Sequence, residues 1–369
     1  MANPDLVVPD REDTYRDWTE AQKIPVIKGF FVEDVKKVEV APWDLRGGLG
    51  ALVNLDGTGG TNDGHVCEIP PGGKLKPQRQ LYEEMLYVAK GHGATTVWQK
   101  NGKKHTFEWN AGSLFAIPLN AWYQHFNGSG SETVRTFSVT NAPFMINLFH
   151  NLDFVFQNDF SFNDRFDAND SDYFTREGSL TGRFFLSTNF VADTHSIQLK
   201  DYRERGAGGT NIKFDLAGNI MGAHISEFPV GTYKKGHRHG PGAHVIVLNG
   251  QGYSLLWPAG QEHVRVDWQP GCVVVPPMNW FHQHFNSGAK RARYLALRWN
   301  SWRFKFIRMG EDRKGGTFTS LKEGGNQIEY DDEDPQIHQE FEAALLKAGA
   351  TCAMGSHHPG CNQKEAARA

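Results

Sequence analysis

Cysteine is scarce in this chain: Cys67, Cys272, Cys352 and Cys361 are the four among 369 residues. So few argue against a disulfide-built scaffold, and Cys67 and Cys272 sit in apolar, strand-like surroundings where reduced thiols are expected. Long apolar runs are missing too. No stretch approaches the roughly 18–20 residues that a membrane-spanning helix needs, and residues 1–13 are polar rather than signal-like, which points to the cytoplasm. Charge of one sign is not in excess, since the formal net charge is −3. Nucleic acid and acidic membranes are therefore not expected as partners. Helical periodicity is sparse. It is clearest over residues 335–348, where Phe341, Ala344 and Leu345 recur at helical spacing between a capping Asp334 and a terminating Gly349, with a second candidate over residues 11–22.

What the chain does contain is a near-copy of itself. Residues 67–130 lie over residues 226–289 without a gap. Pro70, Gly72, Arg79, Gly91, Trp98, Trp109, Gly112, Pro118, Asn120, His125 and Asn127 recur as Pro229, Gly231, Arg238, Gly250, Trp257, Trp268, Gly271, Pro277, Asn279, His284 and Asn286. The matches fall on turn residues and aromatics rather than on a biased tract, so a fold has been duplicated. The copies diverge at three positions that matter chemically: Gln78 meets His237, Gln80 meets His239, and Tyr123 meets His282.

Short segments rich in β-branched and aromatic residues, such as 84–88, 94–99, 113–117, 244–248, 253–257 and 272–275, are separated by Gly, Pro or Asn turns and read as strands. The length is ample for two cores. The expectation is an all-β protein of two small barrels or jelly rolls with arms at both ends. The acidic run 329–334 reads as a solvated linker, and residues 151–172 as a connector crossing a surface.

Gly231, His237, His239, His244 and Gly250 resemble the first cupin motif, and Pro277, Asn279, His282 and Asn286 are similar to the second. Together with the repeat, this resemblance implies a bicupin of two double-stranded β-helix (jelly-roll) barrels. Its parts would be an N-terminal arm (1–44), a barrel with a degenerate metal site (45–150), a connector (151–204), a metal-binding barrel (205–310) and a C-terminal arm (311–369). Two positions depart from the pattern: His244 stands about where cupins carry a metal-binding glutamate, and Asn279 replaces a glycine. With Ala243, Pro276, Trp280 and His284 included, the motifs look like those of gentisate and salicylate dioxygenases. These are ring-opening bicupins that use ferrous iron held by three histidines, and the likeness implies His237, His239 and His282 as ligands.

The residues make a case for a metal beside that resemblance. Side chains two apart on a strand share a face, so His237 and His239 can present two imidazoles to one point inside a barrel, with a third from a distant strand. Both His282 and His284 face that way, but His125 persists in the half that lost the other histidines. His282 is therefore the expected ligand, and His284 a supporting or pocket residue. His244 is either a fourth ligand or a group that points away from the ion to support the ligands or contact substrate. In the first half Gln78, Gln80, Glu84 and Tyr123 make a poor transition-metal site, so that barrel is expected to be metal-free.

Three neutral imidazoles would leave iron(II) its full charge and open positions for an anionic substrate and dioxygen. The expected activity is a non-haem iron(II) dioxygenase acting on a small phenolic, hydroxylated aromatic or enolic substrate. Manganese, nickel and zinc suit the same ligands. An oxygen-independent decarboxylase, isomerase or hydrolase is the alternative, followed by a non-enzymatic small-molecule-binding bicupin. Trp280, which shares a face with His282 and His284, and Trp257 and Val247 on neighbouring strands are candidates for an apolar pocket wall or, alternatively, for plain core. Arg298 is a candidate for a substrate carboxylate or, alternatively, for an ion pair. The partners expected are the substrate, dioxygen and further copies of the chain in a homo-oligomer. Cys352, His357, His358 and Cys361 cluster near the C-terminus. Their spacing fits no zinc motif well, so a lid or intersubunit strap over a barrel mouth, built on the preceding helix, is expected there rather than a second metal site.

Overall fold

The computed structural model describes residues 11–100, 102–299, 301, 303–304 and 318–361. The polar stretch 1–10 and the boundary expected at 310/311 lie outside the described residues. Two jelly-roll barrels follow one another in a bicupin architecture. In the first, a large sheet runs in the order Val26–Ile27, Gly48–Val53, Asp63–Ile69, Val134–Thr140, Glu84–Lys90, Leu114–Ile117 and Phe190–Val191. Opposite it lies a smaller sheet of Trp122–Asn127, His92–Trp98 and His105–Asn110. The second barrel repeats the plan, with Thr210–Leu216, Met221–Phe228, Ala292–Trp299 and His244–Asn249 central to its large sheet and Gly252–Trp257, Val264–Trp268 and Phe281–Phe285 in the smaller one.

The strand pattern follows from alternation. Along Thr210–Leu216, Ile212, Phe214 and Leu216 join the main core, while Asn211 and Lys213 turn into the second barrel. Val66, Phe137 and Val139 of the first barrel and Phe214, Ile225, Leu295 and Leu297 of the second belong to one continuous apolar cluster. The two large sheets thus share a core, in which each fully buried aliphatic or Phe side chain contributes about 1.5–3 kcal/mol. Asn120 and Asn279, at φ 59° and 65°, both adopt the left-handed conformation, so asparagine does the work of glycine at the turn before the last motif strand.

The arms and connector are not loose appendages. Phe31–Val32 of the N-terminal arm pairs with Val273–Val274 at the edge of the second barrel, and Phe190–Val191 of the connector pairs with Leu114–Ile117 at the edge of the first. Each barrel's open edge is closed by chain from beyond it, which removes a template for unwanted strand pairing. The connector also adds Phe185–Thr188 to the second barrel's sheet. The helix Pro335–Ala348 has its expected cap, with the Asp334 side chain accepting from the Gln336 amide and Gly349 at φ 66° ending it. The N-terminal helix spans Thr14–Ala21, and Ala142–Phe149 and Leu152–Gln157 are helices that the pattern did not reveal. The acidic run is not a solvated linker: Glu333 is buried and Glu329 pairs with Lys235. No described helix is long and apolar enough to cross a membrane.

Candidate metal centre

The segment carrying His237 runs antiparallel beside the strand Phe281–Phe285. The His237 amide donates to the His282 carbonyl at 3.1 Å and the His282 amide donates back at 2.9 Å, while the Asn279 amide donates to the His239 carbonyl at 2.9 Å. This backbone pairing brings the three imidazoles together. Their ring centres lie 4.2 Å (His237 to His282), 4.8 Å (His239 to His282) and 5.7 Å (His237 to His239) apart, and one nitrogen from each falls within 4.8 Å of the others.

Their hydrogen bonds leave the opposite ring nitrogens for a metal. His237 Nδ1 faces the Lys235 carbonyl at 3.0 Å, His239 Nδ1 the Gly240 carbonyl at 3.3 Å, and His282 Nδ1 the Trp280 carbonyl at 3.4 Å. A carbonyl only accepts, so each Nδ1 carries the proton and each Nε2 keeps a lone pair. Burial, followed by Arg205, His282 and His239, holds His237 well below the usual imidazole range, and burial, followed by His282, Arg298 and Arg205, does the same to His239. Chiefly through burial, His282 falls to about 3. Three neutral nitrogen donors with fixed tautomers fit a divalent transition ion well.

The cavity in front of them encloses about 90 Å³, room for a handful of waters or a small organic acid. Its wall is mixed rather than wholly apolar, with Tyr202, Val245, Tyr294 and Phe318 sharing it with charged side chains. Arg205, Lys213, Lys234 and Arg298 line it, and no carboxylate does among the described residues. Their field is felt at His224, also on the wall, which burial and then Arg298, Lys213, Lys234 and Arg205 push well below its usual range. Lys234 is buried and donates to Ser226 Oγ, with Phe228 and Tyr294 rings 5.2 and 5.0 Å from its ammonium.

The structure brings Arg298 and His284 to the cavity and sends other candidates elsewhere. His284 Nδ1 meets Ser254 Oγ at 2.7 Å, and Trp268 donates to the same oxygen at 3.1 Å. The first barrel repeats this with His125, Thr95 and Trp109 at 2.7 and 2.8 Å, so it is a framework contact. His244 lies outside the cluster. Ala243 and Val245 face the cavity, and alternation turns His244 the other way, where its Nδ1 meets Asn62 Nδ2 at 3.2 Å and its ring lies 6.0 Å from Phe137 of the first barrel. Trp280 packs on Phe30 at 5.8 Å and Trp257 stacks on Phe281 at 5.7 Å, both away from the cavity. Val247 lines a smaller apolar space beyond His284. Sequence reasoning missed Arg205, Lys213, Lys234 and His224. A charge comparison between the copies would have found Lys234, since its counterpart is Leu75.

No protein-family model matches the sequence, and no curated protein matches it. Among solved structures, the chain is similar to an oxalate decarboxylase from Lactobacillus farciminis in complex with formate, at 13% identity and TM-score 0.49, covering 73% of this chain and 86% of that one. A mutant oxalate decarboxylase from Bacillus subtilis is similar at 11% identity and TM-score 0.48, covering 81% and 87%. A vicilin from hazelnut, Corylus avellana, is similar at 12% identity and TM-score 0.47, covering 73% and 85%.

Proposed function

We propose that the second barrel is a divalent-metal enzyme whose substrate is a small organic acid bearing a carboxylate beside a second oxygen. The observation that carries this reading is a cluster of three neutral imidazoles opening onto a cavity lined by two arginines and two lysines. His237, His239 and His282 would hold the ion, with His284 fixed behind them and His244 taking no part. A bound ferrous ion would supply open positions for substrate oxygens and a route for electrons to dioxygen. Arg298 and Lys213 would orient the substrate's carboxylate by charge-assisted hydrogen bonds, which favour the deprotonated acid and fix its direction. The buried wall excludes bulk water and strengthens those contacts.

Iron(II)-dependent dioxygenation of a hydroxylated aromatic or enolic acid is the reaction we favour, because such substrates offer two adjacent oxygens and are electron-rich. The cationic wall also favours a second reading, oxygen-independent chemistry on a short dicarboxylate, since its four cations could meet two carboxylates. Oxygen uptake and product formation by iron-loaded and manganese-loaded protein, with hydroxylated aromatic acids, diketones and dicarboxylates, tests both. Uptake stoichiometric with turnover supports the dioxygenase. Undiminished turnover under nitrogen replaces it with the second reading, and no turnover with any ion overturns both.

A further inference from the structure

A second group of ligand-type side chains lies on the far side of the metal-bearing segment, where the last helix meets the C-terminal strap. We propose that it is a structural zinc site formed by Cys352, Cys361, His338 and Glu342, independent of the reading given to the barrel cavity. One ligand atom from each residue lies within 4.8 Å of all the others. The two Sγ atoms are 3.5 Å apart, and His338 Nε2 stands 3.3 Å from Glu342 Oε1. A tetrahedral shell with zinc–sulfur distances of about 2.3 Å and zinc–nitrogen or zinc–oxygen distances of about 2.0–2.1 Å has edges of roughly 3.3–3.8 Å. Two thiolates and an imidazole select zinc over the harder cations.

The sequence hides this site because its two halves obey different periodicities. His338 and Glu342 share a helix face at i and i+4, while Cys352 and Cys361 are folded together by the turn at Pro359 and Gly360. His357, a neighbour in sequence, is not in the group. The decisive atom is His338 Nε2, which is buried and whose polar neighbour, Glu342 Oε1 at 3.3 Å, belongs to the group without making a well-aligned hydrogen bond to it. On the other side of the ring, Nδ1 meets the Tyr233 hydroxyl at 3.1 Å, and that hydroxyl donates to Glu333 Oε1 at 2.7 Å. With its proton given to Glu333, Tyr233 accepts from Nδ1–H, which leaves the Nε2 lone pair directed into the cluster. An ion there would pin the strap against the Tyr233 and Phe285 face, where the Ala353 amide already donates to the Gly231 carbonyl at 2.8 Å.

The test uses the full chain, purified under reducing conditions and loaded with zinc alone. In a variant lacking the barrel imidazoles (His237→Ala, His239→Ala, His282→Ala), one zinc per chain should survive dialysis, and adding Cys352→Ser and Cys361→Ser should remove it. Glu342→Gln, at a half-exposed position that tolerates change, should weaken zinc binding by about tenfold or more. Alkylation of Cys352 and Cys361 in the wild-type chain, read by peptide mapping, should slow at least tenfold with zinc and recover with chelator, whatever the stability of the variants. The proposal is overturned if alkylation is indifferent to zinc, if zinc persists without both cysteines, or if the two sulfurs are found as a disulfide that zinc does not prevent.

Discussion

The two barrels solve the same problem, a polar centre inside an apolar shell, with opposite chemistry. Where the second barrel gathers imidazoles, the first holds a guanidinium. Arg46 Nη1 donates to the Tyr123 hydroxyl at 2.6 Å and Nη2 lies 3.4 Å from Glu84 Oε2, which also accepts from Tyr123 at 2.7 Å and Gln80 at 3.1 Å. Gln78 turns away to the Leu45 carbonyl at 2.8 Å. Arg46 has a counterpart in Arg205: each carbonyl accepts from the lysine amide of the motif segment, Lys76 at 2.7 Å and Lys235 at 2.9 Å. Glu84, however, corresponds to Ala243. The first barrel thus carries its own cation and counter-ion, whereas the second lacks that carboxylate and adds positive charge. Strand register sets Lys213 against Leu52 and Arg298 against Thr140, and the shared pairing to His284 and His125 sets Lys234 against Leu75. Among the described residues, the first barrel's cation meets a carboxylate of its own, whereas the second barrel's four cations line a cavity that no carboxylate lines.

The comparison breaks most visibly on metal content. His282→Ala should abolish bound metal in the second barrel and all activity, while Tyr123→Phe should leave the metal content of the chain unchanged. Metal analysis on folded protein, with folding checked by circular dichroism, decides it. Loss of metal in the Tyr123 variant would make the first barrel a ligand site after all.

The next effect is on stability. Glu84→Gln leaves Arg46 buried beside a neutral amide, and breaking such a pair costs about 3–5 kcal/mol, read from urea unfolding with metal content unchanged. Burial alone would raise the Glu84 pKa, but Arg46, His65 and Tyr123 together hold it well below the ordinary carboxylate range. A depressed carboxylate contributes stability above its unfolded pKa and loses it as pH falls through the folded value. The gap between wild type and variant should therefore be full at neutral pH and shrink only in acid. A gap independent of pH would mean that packing, not charge, holds the centre.

Much of this was legible in advance, and what was not has identifiable causes. The repeat, the strands, the capped last helix and the three imidazoles were readable because turn residues and His spacing act locally. The cavity's charge was not, because Asn211 and Lys213 alternate with Ile212 and Phe214, and a polar strand face ordinarily means solvent; here the apolar face is the one covered by the other barrel. His244 was misplaced by a single residue, which in a strand reverses the side chain's direction. Trp280 was a pocket candidate because it shares alternation with His282 and His284, and Trp257 because it lies on a neighbouring strand, yet they pack on Phe30 and Phe281. Glu333 looked like part of a solvated run, but it lies under Tyr233 and Gln283, and burial pushes it up to about 7.

Charge on the cavity wall can be tested by giving the second barrel the first barrel's residue. Arg298→Thr should reduce kcat/KM for an anionic substrate by about 10- to 100-fold, since a charge-assisted hydrogen bond contributes roughly 1.5–3 kcal/mol. The loss should fall mainly on KM, because the residue binds the acid rather than the reacting atoms. An equal loss for a neutral ester of the same substrate would show that Arg298 shapes the cavity without reading charge.

The smallest expected effect comes from restoring the missing carboxylate with Ala243→Glu. Ala243 lines the cavity, so an acid there would have two possible partners, an ion bound by the imidazoles and the guanidinium of Arg205. Arg205 already donates to Gln327 Oε1 at 2.8 Å, which holds it toward the chain beyond the barrel, so the introduced carboxylate should turn to the ion. Metal affinity should rise about tenfold, roughly 1.4 kcal/mol, measured by competition with a coloured chelator. The added negative charge should also raise KM for the acid substrate. A fall in metal affinity would mean that Arg205 had swung in to meet the carboxylate. The two barrels would then be one design, switched between supporting and metal-binding forms by whether a carboxylate is present to capture the arginine.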